Sequence, residues 1–517
     1  MGSLSSVASN AIIWPTYIVM LVSASAIAYW KHDSKTFLSA NGSQRAVPLA
    51  LNFIASGVGC SVLVAYPEMA NVAGLQGLLV YALTSALPMY VFAVFGPQIK
   101  KKCPNGFMLT EWVFQRYGTV AGLYLSACTI LTLFLFMVSE IASLKQAVET
   151  LTKGGGLAVV IVECVVTTIY TTIGGFNISF ITDSLQTLVF LFIWIISAIA
   201  FGCYVKVDRS LIEPSGLLKP TRLGWQLIYI LTVAIFTNDF FLSGFWLRTF
   251  AAKSDKDLLI GCSLAAGILV FFFVVVGFTG ILAVWGGYVP IGSEDPGSAF
   301  FVLLSELPSW IMGLVLTFVL VLSTCTLDSL QSALVSTISN DLFKNKLPLM
   351  YTRAIVGIVM IPVVIVGLIA TDVLTIFLIV DLLSSAVVPV LMLGLWSKMD
   401  FLTAWEIIGG GLGGLFCVFL FGTAYYGNTR DGGRLLLISD GLYKNDWGAF
   451  GAMVAAPFGS LLVGFSILAI RSAVIYLRCR TTKKPFTVFT RKIVYHDQIY
   501  SKQDDVSITS KSPRGCH

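Results

Sequence analysis

The chain has 517 residues and a formal net charge of +6, but only 12% of it is charged and 56% is hydrophobic. Soluble globular chains carry about 25% charged residues, so this one cannot cover a water-facing surface, which excludes a soluble enzyme, a disordered chain and a coiled coil. The three histidines, His32, His496 and His517, lie outside the apolar runs, which excludes a haem-bearing or histidine-relay membrane enzyme. No G-x-x-x-x-G-K-[ST] loop occurs, against an ATP-driven pump. The ten cysteines contain no C-x-x-C pair, so neither a disulfide framework nor a metal site is expected.

A lipid core of about 30 Å takes roughly 20 apolar residues per helix. Thirteen runs qualify, at 11–30, 47–70, 74–98, 119–140, 155–173, 180–204, 223–245, 259–285, 308–335, 351–370, 372–396, 404–424 and 446–473. The expected fold is an all-α membrane bundle. The second run holds Ala55-Ser56-Gly57-Val58-Gly59-Cys60-Ser61. Glycine loosens a helix, and the carbonyls freed in a broken membrane helix can hold a cation. The same small residues also suit a helix-packing seam. The seventh run is interrupted at Thr237-Asn238-Asp239. Interruptions five runs apart are the spacing of two inverted five-helix repeats. The divisions are then 1–46 (flanking helix and loop), 47–204 (first repeat), 205–400 (second repeat), 401–473 (flanking helices) and 474–517, a basic tail expected to be disordered.

Carboxyl groups lie in or beside the apolar runs at Glu68, Glu163, Asp183, Asp239, Asp328, Asp372 and Asp381. Each is costly there unless paired, wet or protonated. Asp183 shares a helical face with Gln186, whereas Glu68, Glu163 and Asp372 read as structural. The ninth run is the most polar, with hydroxyls at 323, 324, 326, 329, 332, 336 and 337. That many oxygens suit a helix lining a hydrated cavity or an ion site better than one facing lipid.

Five segments together resemble the sodium:solute symporter family over roughly residues 11–424. They are Gly174-Gly175 through Thr182-Asp183 to Gln186; Arg248-Thr249-Phe250-Ala251-Ala252-Lys253-Ser254; Thr110-Glu111 with Arg116-Tyr117-Gly118; Ser336-Thr337 to Asn340-Asp341-Leu342-Phe343; and Pro389 with Leu393-Gly394-Leu395-Trp396. The resemblance implies a LeuT-like fold and ion-driven symport of a small solute, with no cofactor. It implies an ion held by the carbonyls of Ala55, Val58 and Leu322 and by the side chains at Cys325 and Thr326, with Asp183 as relay. Cys325 departs from the pattern, because a thiol is a poor ligand for a hard cation. Asp328, one turn on, offers a protonatable group instead, so the coupling ion is H+ or Na+, with H+ favoured. Ser56, Cys60, Asn238, Asp239 and Ser329 are the candidate solute contacts. They suit a small polar solute such as urea, an amide, a polyamine or an amino acid, and urea is the first expectation, from Asp381 through Ser384-Ser385 to Pro389. The alternatives are a non-transporting sensor on a transporter scaffold and a passive channel.

Basic residues divide 24 to 9 between the two sets of loops, and ten of the 33 fall from Arg471 onward. Such a tail faces anionic lipid more readily than nucleic acid, and the asymmetry puts the C-terminus in the cytoplasm and the N-terminus outside. The plasma membrane is the expected location. A tag on the C-terminal tail should therefore be reached by antibody only after cell permeabilisation, and a cysteine label in the 426–445 loop should react on intact cells. Tail labelling on intact cells would overturn this topology.

Overall fold

The computed structural model describes residues 4–30, 41–104, 106–152, 154–290, 296–370, 372–439, 442, 446–483 and 485–490. Its helices are α1 (Ser6–Trp30), α2 (Ala46–Gly57), α3 (Val62–Ala86), α4 (Met89–Lys102), α5 (Leu109–Tyr117), α6 (Thr119–Leu151), α7 (Gly156–Tyr204), α8 (Arg209–Ser215), α9 (Arg222–Asn238), α10 (Ser243–Ala251), α11 (Asp255–Trp285), α12 (Ala299–Ser305), α13 (Ser309–Thr337), α14 (Leu349–Ile369), α15 (Val373–Leu393), α16 (Ala404–Tyr426), α17 (Thr429–Leu435) and α18 (Gly448–Thr482). No strand is named among the described residues.

By length and composition, twelve helices among the described residues could cross a membrane, not the thirteen expected. The difference arises in the second and third runs. α2 has 12 residues and falls short, and Val62–Lys102 counts once with 41. At about 1.5 Å per residue those 41 residues would run about 60 Å, twice a lipid core. The chain instead doubles back at Gly74, whose φ of 67° is left-handed. Tyr66 and Tyr81 consequently stack with centroids 4.2 Å apart, where a straight helix would part them by about 22 Å. α7 reverses likewise at Gly175, φ 60°, so that Thr171 and Thr182 both reach Asp328.

Other boundaries moved for local reasons. α6 continues to Leu151, well past the expected end at 140. α18 continues to Thr482, so the segment expected to be disordered from 474 begins as helix, and 491–517 lies outside the described residues. The split between the tenth and eleventh runs falls where expected, because Asp372 caps α15 by accepting from the Thr375 amide at 2.9 Å. Arg248, counted among the loop charges, is instead fully buried on α10, and Arg116 is buried on α5.

α13 is the axis of the bundle. From Val315 to Thr337 nearly every side chain is buried. α7 and α6 pack along it, with α1 and α2 against further faces. The polar run of α13 therefore meets other helices, and the broken second span lies directly against it.

Candidate functional site

Two helices are interrupted side by side. α2 stops at Gly57, Val58 is extended (φ −128°, ψ 109°), and α3 starts at Val62. α9 stops at Asn238, passes through a single 3-10 turn and resumes as α10 at Ser243. A break strands backbone amides and carbonyls that lipid cannot satisfy. At the first break the amides are taken by Glu140 of α6. Its carboxylate accepts from the amides of Cys60 (2.7 Å) and Ser61 (3.3 Å) and from the Ser61 hydroxyl. Negative charge at the start of a helix is also favoured by the helix dipole. Gly59 makes the approach possible, since a Cβ there would lie 2.1 Å from Glu140 Oε1.

The carbonyls on the other side of this break face α13. The Thr326 hydroxyl lies 2.7 Å from Val58 O, 3.2 Å from Leu322 O and 3.5 Å from Ala55 O. One hydroxyl donates one proton, so carbonyl lone pairs remain directed at a common point. Four of the five expected ion ligands, Ala55, Val58, Leu322 and Thr326, are thus brought together. Cys325 is not with them, for its thiol is directed at Asp183 Oδ1, 3.5 Å away.

Asp183 sits in a separate cluster. Arg248 Nη2 donates to it at 2.6 Å and Ser329 Oγ at 2.8 Å, and both charged side chains are fully buried. Arg248 also donates to Ser329 Oγ at 2.9 Å and to the carbonyls of Asn52 and Gly244, each at 3.0 Å. Asp183 is therefore one half of a fixed ion pair, and Ser329 braces that pair. Asp328 takes the hydroxyls of Thr171 and Thr182.

At the first break lies a cavity of about 120 Å³, lined in part by Gly57, Gly59 and Ser61. Of the expected solute contacts, Ser56, Asn238 and Asp239 line it, whereas Cys60 and Ser329 do not. Ser329 borders a smaller cavity shared with Ser56, Thr326 and Arg248. The main cavity also takes Glu140, Asp381 and the rings of Tyr66, Tyr81, Phe136, Phe245, Phe273 and Phe377. Tyr66 is held between Tyr81 (4.2 Å) and Phe273 (4.4 Å), so this wall is flat and stiff. Asp381 is close enough to Asp239 to feel its charge, and the Thr237 and Ser384 hydroxyls bond at 3.0 Å between their helices. Among the described residues, no lysine, arginine or histidine is on the lining.

Sequence reasoning missed Glu140 and the burial of Arg248. Glu140 stood at the supposed end of an apolar run. The signal available was the further apolar positions Ile141, Ala142, Leu144, Ala147 and Val148, which carry the helix past it.

A bundle of apolar helices, two of them interrupted beside an acidic cavity and an oxygen cage, defines a multi-pass membrane transporter. The model of the sodium:solute symporter family matches residues 37–405, and the chain belongs to that family. It is therefore a symporter and not an enzyme. A spermidine transporter of Candida albicans is 51% identical to it over 519 residues, covering 99% of this chain and 100% of the relative. A urea active transporter of Saccharomyces cerevisiae is 25% identical over 247 residues, 44% of this chain and 33% of the relative. A probable urea active transporter of Schizosaccharomyces pombe is 26% identical over 184 residues, 36% and 27%. Among solved structures, a Na+-coupled sialic acid symporter in a substrate-bound outward-open state superposes with a TM-score of 0.67 at 14% identity, covering 88% of this chain and 97% of that one. That likeness shows the shared fold.

Two tests follow from the geometry. Gly59→Ala places a methyl group on Glu140 and should cut transport roughly tenfold or more, the equivalent of a charge-assisted hydrogen bond, with normal surface expression; unchanged uptake would show that the cap does not matter. Asp183→Ala leaves a buried guanidinium unpaired and should cost about 3–5 kcal/mol. The double variant Asp183→Leu with Arg248→Met should recover part of that loss in thermal unfolding in detergent.

Proposed function

We propose that the chain imports a polyamine, spermidine or a close analogue, by cation-coupled symport across the plasma membrane. The observation that carries this reading is the cavity wall: Glu140, Asp239 and Asp381 with no basic side chain among the lining residues. Aliphatic amines are protonated at neutral pH, as lysine is at its ordinary pKa of about 10.4. A polyamine is therefore a chain of ammonium groups joined by methylenes. The carboxylates of the lining suit the ammonium groups, and its rings suit the methylenes and add cation–π attraction. Urea is neutral and gives three carboxylates nothing to neutralise. The full-length likeness to a spermidine transporter supports the same choice, whereas the urea transporters are matched over less than half of this chain.

Coupling follows from the covalent order around the break. An ammonium drawn to Glu140 competes with the amides of Cys60 and Ser61 for its oxygens. Those amides lie two and three residues from Val58, whose carbonyl belongs to the cage. Solute occupancy and the geometry of the cage are thus mechanically joined, and the breaks at 58–61 and 239–242 serve as the hinges of alternating access. With the two hairpins counted as separate crossings, the chain crosses thirteen times, N-terminus outside and C-terminus cytoplasmic.

For the driving ion we favour the proton. The cage offers four oxygens, and the residue that would supply a fifth, Cys325, turns its thiol to Asp183. Hard cations take oxygen ligands, so sodium in the cage is the alternative reading.

In vesicles under an inward acid gradient without sodium, the wild-type chain should accumulate labelled spermidine and ignore urea. Asp239→Asn and Asp381→Asn should each raise the spermidine KM, by roughly tenfold for the loss of one charge-assisted contact. A strict sodium requirement would return the cage to sodium, and urea accumulation with no spermidine uptake would overturn the substrate.

A further inference from the structure

Glu163 is a buried carboxyl group that neither the cavity, the cage nor the ion pair uses. It lies on the first half of α7 and is fully buried. Its one hydrogen bond is with the Tyr17 hydroxyl of α1, which donates to Oε2 at 3.2 Å. Its other oxygen, Oε1, has no partner, and the Ser323 hydroxyl of α13, also without one, faces it. A carboxyl in such a place requires an explanation.

The titratable groups around it are Tyr17 on α1, Cys164 and Tyr170 on its own helix, Glu140 on α6 and Cys60 at the first break. α14 also packs on α7, and its Arg353 is directed at the carbonyl of Ile173, ten residues further along. On α13, Asp328 is occupied by Thr171 and Thr182. Among the described residues, then, Glu163 has no lysine or arginine as counter-charge. Among the described residues, the acid whose charge acts on it is Glu140, which lines the cavity. Cys60, whose amide donates to Glu140 at 2.7 Å, is near enough to both carboxyl groups to feel their charge.

We propose that Glu163 is the binding site of the driving proton, reached from the cavity by way of Glu140. This rests on the reading of the chain as a proton-driven polyamine symporter. A carboxylate charge at Glu163 has no cation to offset it, so a proton is the counter-ion the site accepts. The tyrosine and serine hydroxyls can donate to the carboxylate or accept from the acid, so both states keep hydrogen bonds. The cycle balances simply. A proton from the outer water binds the Glu140 carboxylate and passes to the Glu163 carboxylate. Glu140, again an anion, takes a solute ammonium. On the inner side the ammonium leaves, and the Glu163 proton returns through Glu140 to water. One proton and one solute molecule move together, and the two carboxyl groups are both anions only in the empty carrier.

The test uses the full chain in vesicles holding an internal pH dye, together with infrared spectroscopy of the purified protein. With wild type, external spermidine should evoke acidification of the lumen. Glu163→Gln should lower that proton flux and gradient-driven accumulation at least tenfold, while labelled spermidine still exchanges across the membrane. In the infrared, wild type should show a protonated-carboxyl band that disappears on raising the pH and is missing from Glu163→Gln. If that variant does not fold, Glu163→Asp should shift the band. Wild-type proton flux in Glu163→Gln, or a Glu163 band that no pH removes, would overturn the proposal. A wild-type chain that exchanges no spermidine would instead sink the polyamine reading, and the infrared titration would still decide whether Glu163 takes up and releases a proton.

Discussion

Lipid offers a peptide group no hydrogen bond, and the functional geometry of this chain depends on how that constraint is met at one break. Between Gly57 and Val62 the helix gives up its own bonds. The amides opened there are taken by Glu140, brought from α6 eighty residues away. The carbonyls opened there are turned toward Thr326 of α13. A charged acid is the only side chain able to accept from two amides and a hydroxyl together, and Gly59 is the only residue that lets it come so close. The acid that repairs the break is therefore also a wall of the cavity.

The second constraint is the burial of charge. Asp183 and Arg248 meet at 2.6 Å with no exposure to solvent, and the guanidinium also donates to Ser329 of α13 and to carbonyls of α2 and α10. The pair therefore pins three elements around α13: the second half of α7, the helix before the first break and the helix after the second. It keeps the two interrupted helices in fixed register where the carbonyl cage forms. Asp239 and Asp381 have no such cationic partner among the described residues of the cavity wall, and this separates a structural acid from one open to a cationic solute.

The breaks were legible in the sequence because their cause is local, whereas the residues of the cage were expected only from the resemblance to the family. Gly57, Gly59 and the Thr237-Asn238-Asp239 run weaken a helix wherever they occur, and the dense hydroxyls of α13 mark a helix that does not face lipid. The residues that define the chemistry of the cavity were less legible. Glu140, Asp239 and Asp381 stand on elements up to 241 positions apart, and nothing local says that they converge. Arg248 reads as a loop charge because Ala251-Ala252-Lys253-Ser254 follows it, and its partner Asp183 is 65 residues away. The merged count of membrane spans has the same origin. Gly74 reverses the chain without a polar loop, so hydropathy alone sees one long helix where the stacked tyrosines show two.

α1 packs on α7 and α13, and much of its surface is exposed, including Val7, Ile18, Val19, Val22, Tyr29 and Trp30. Its inner face carries Tyr17, the donor to Glu163. A single helix is thus the partition between the acyl chains and a buried acid. The tilt and depth of that helix follow the thickness of the surrounding bilayer, so the chemical environment of Glu163 is set partly by lipid composition. Sterol content and acyl-chain length become variables of the protein's energetics in their own right, acting sideways through one tyrosine and not along the route of the solute.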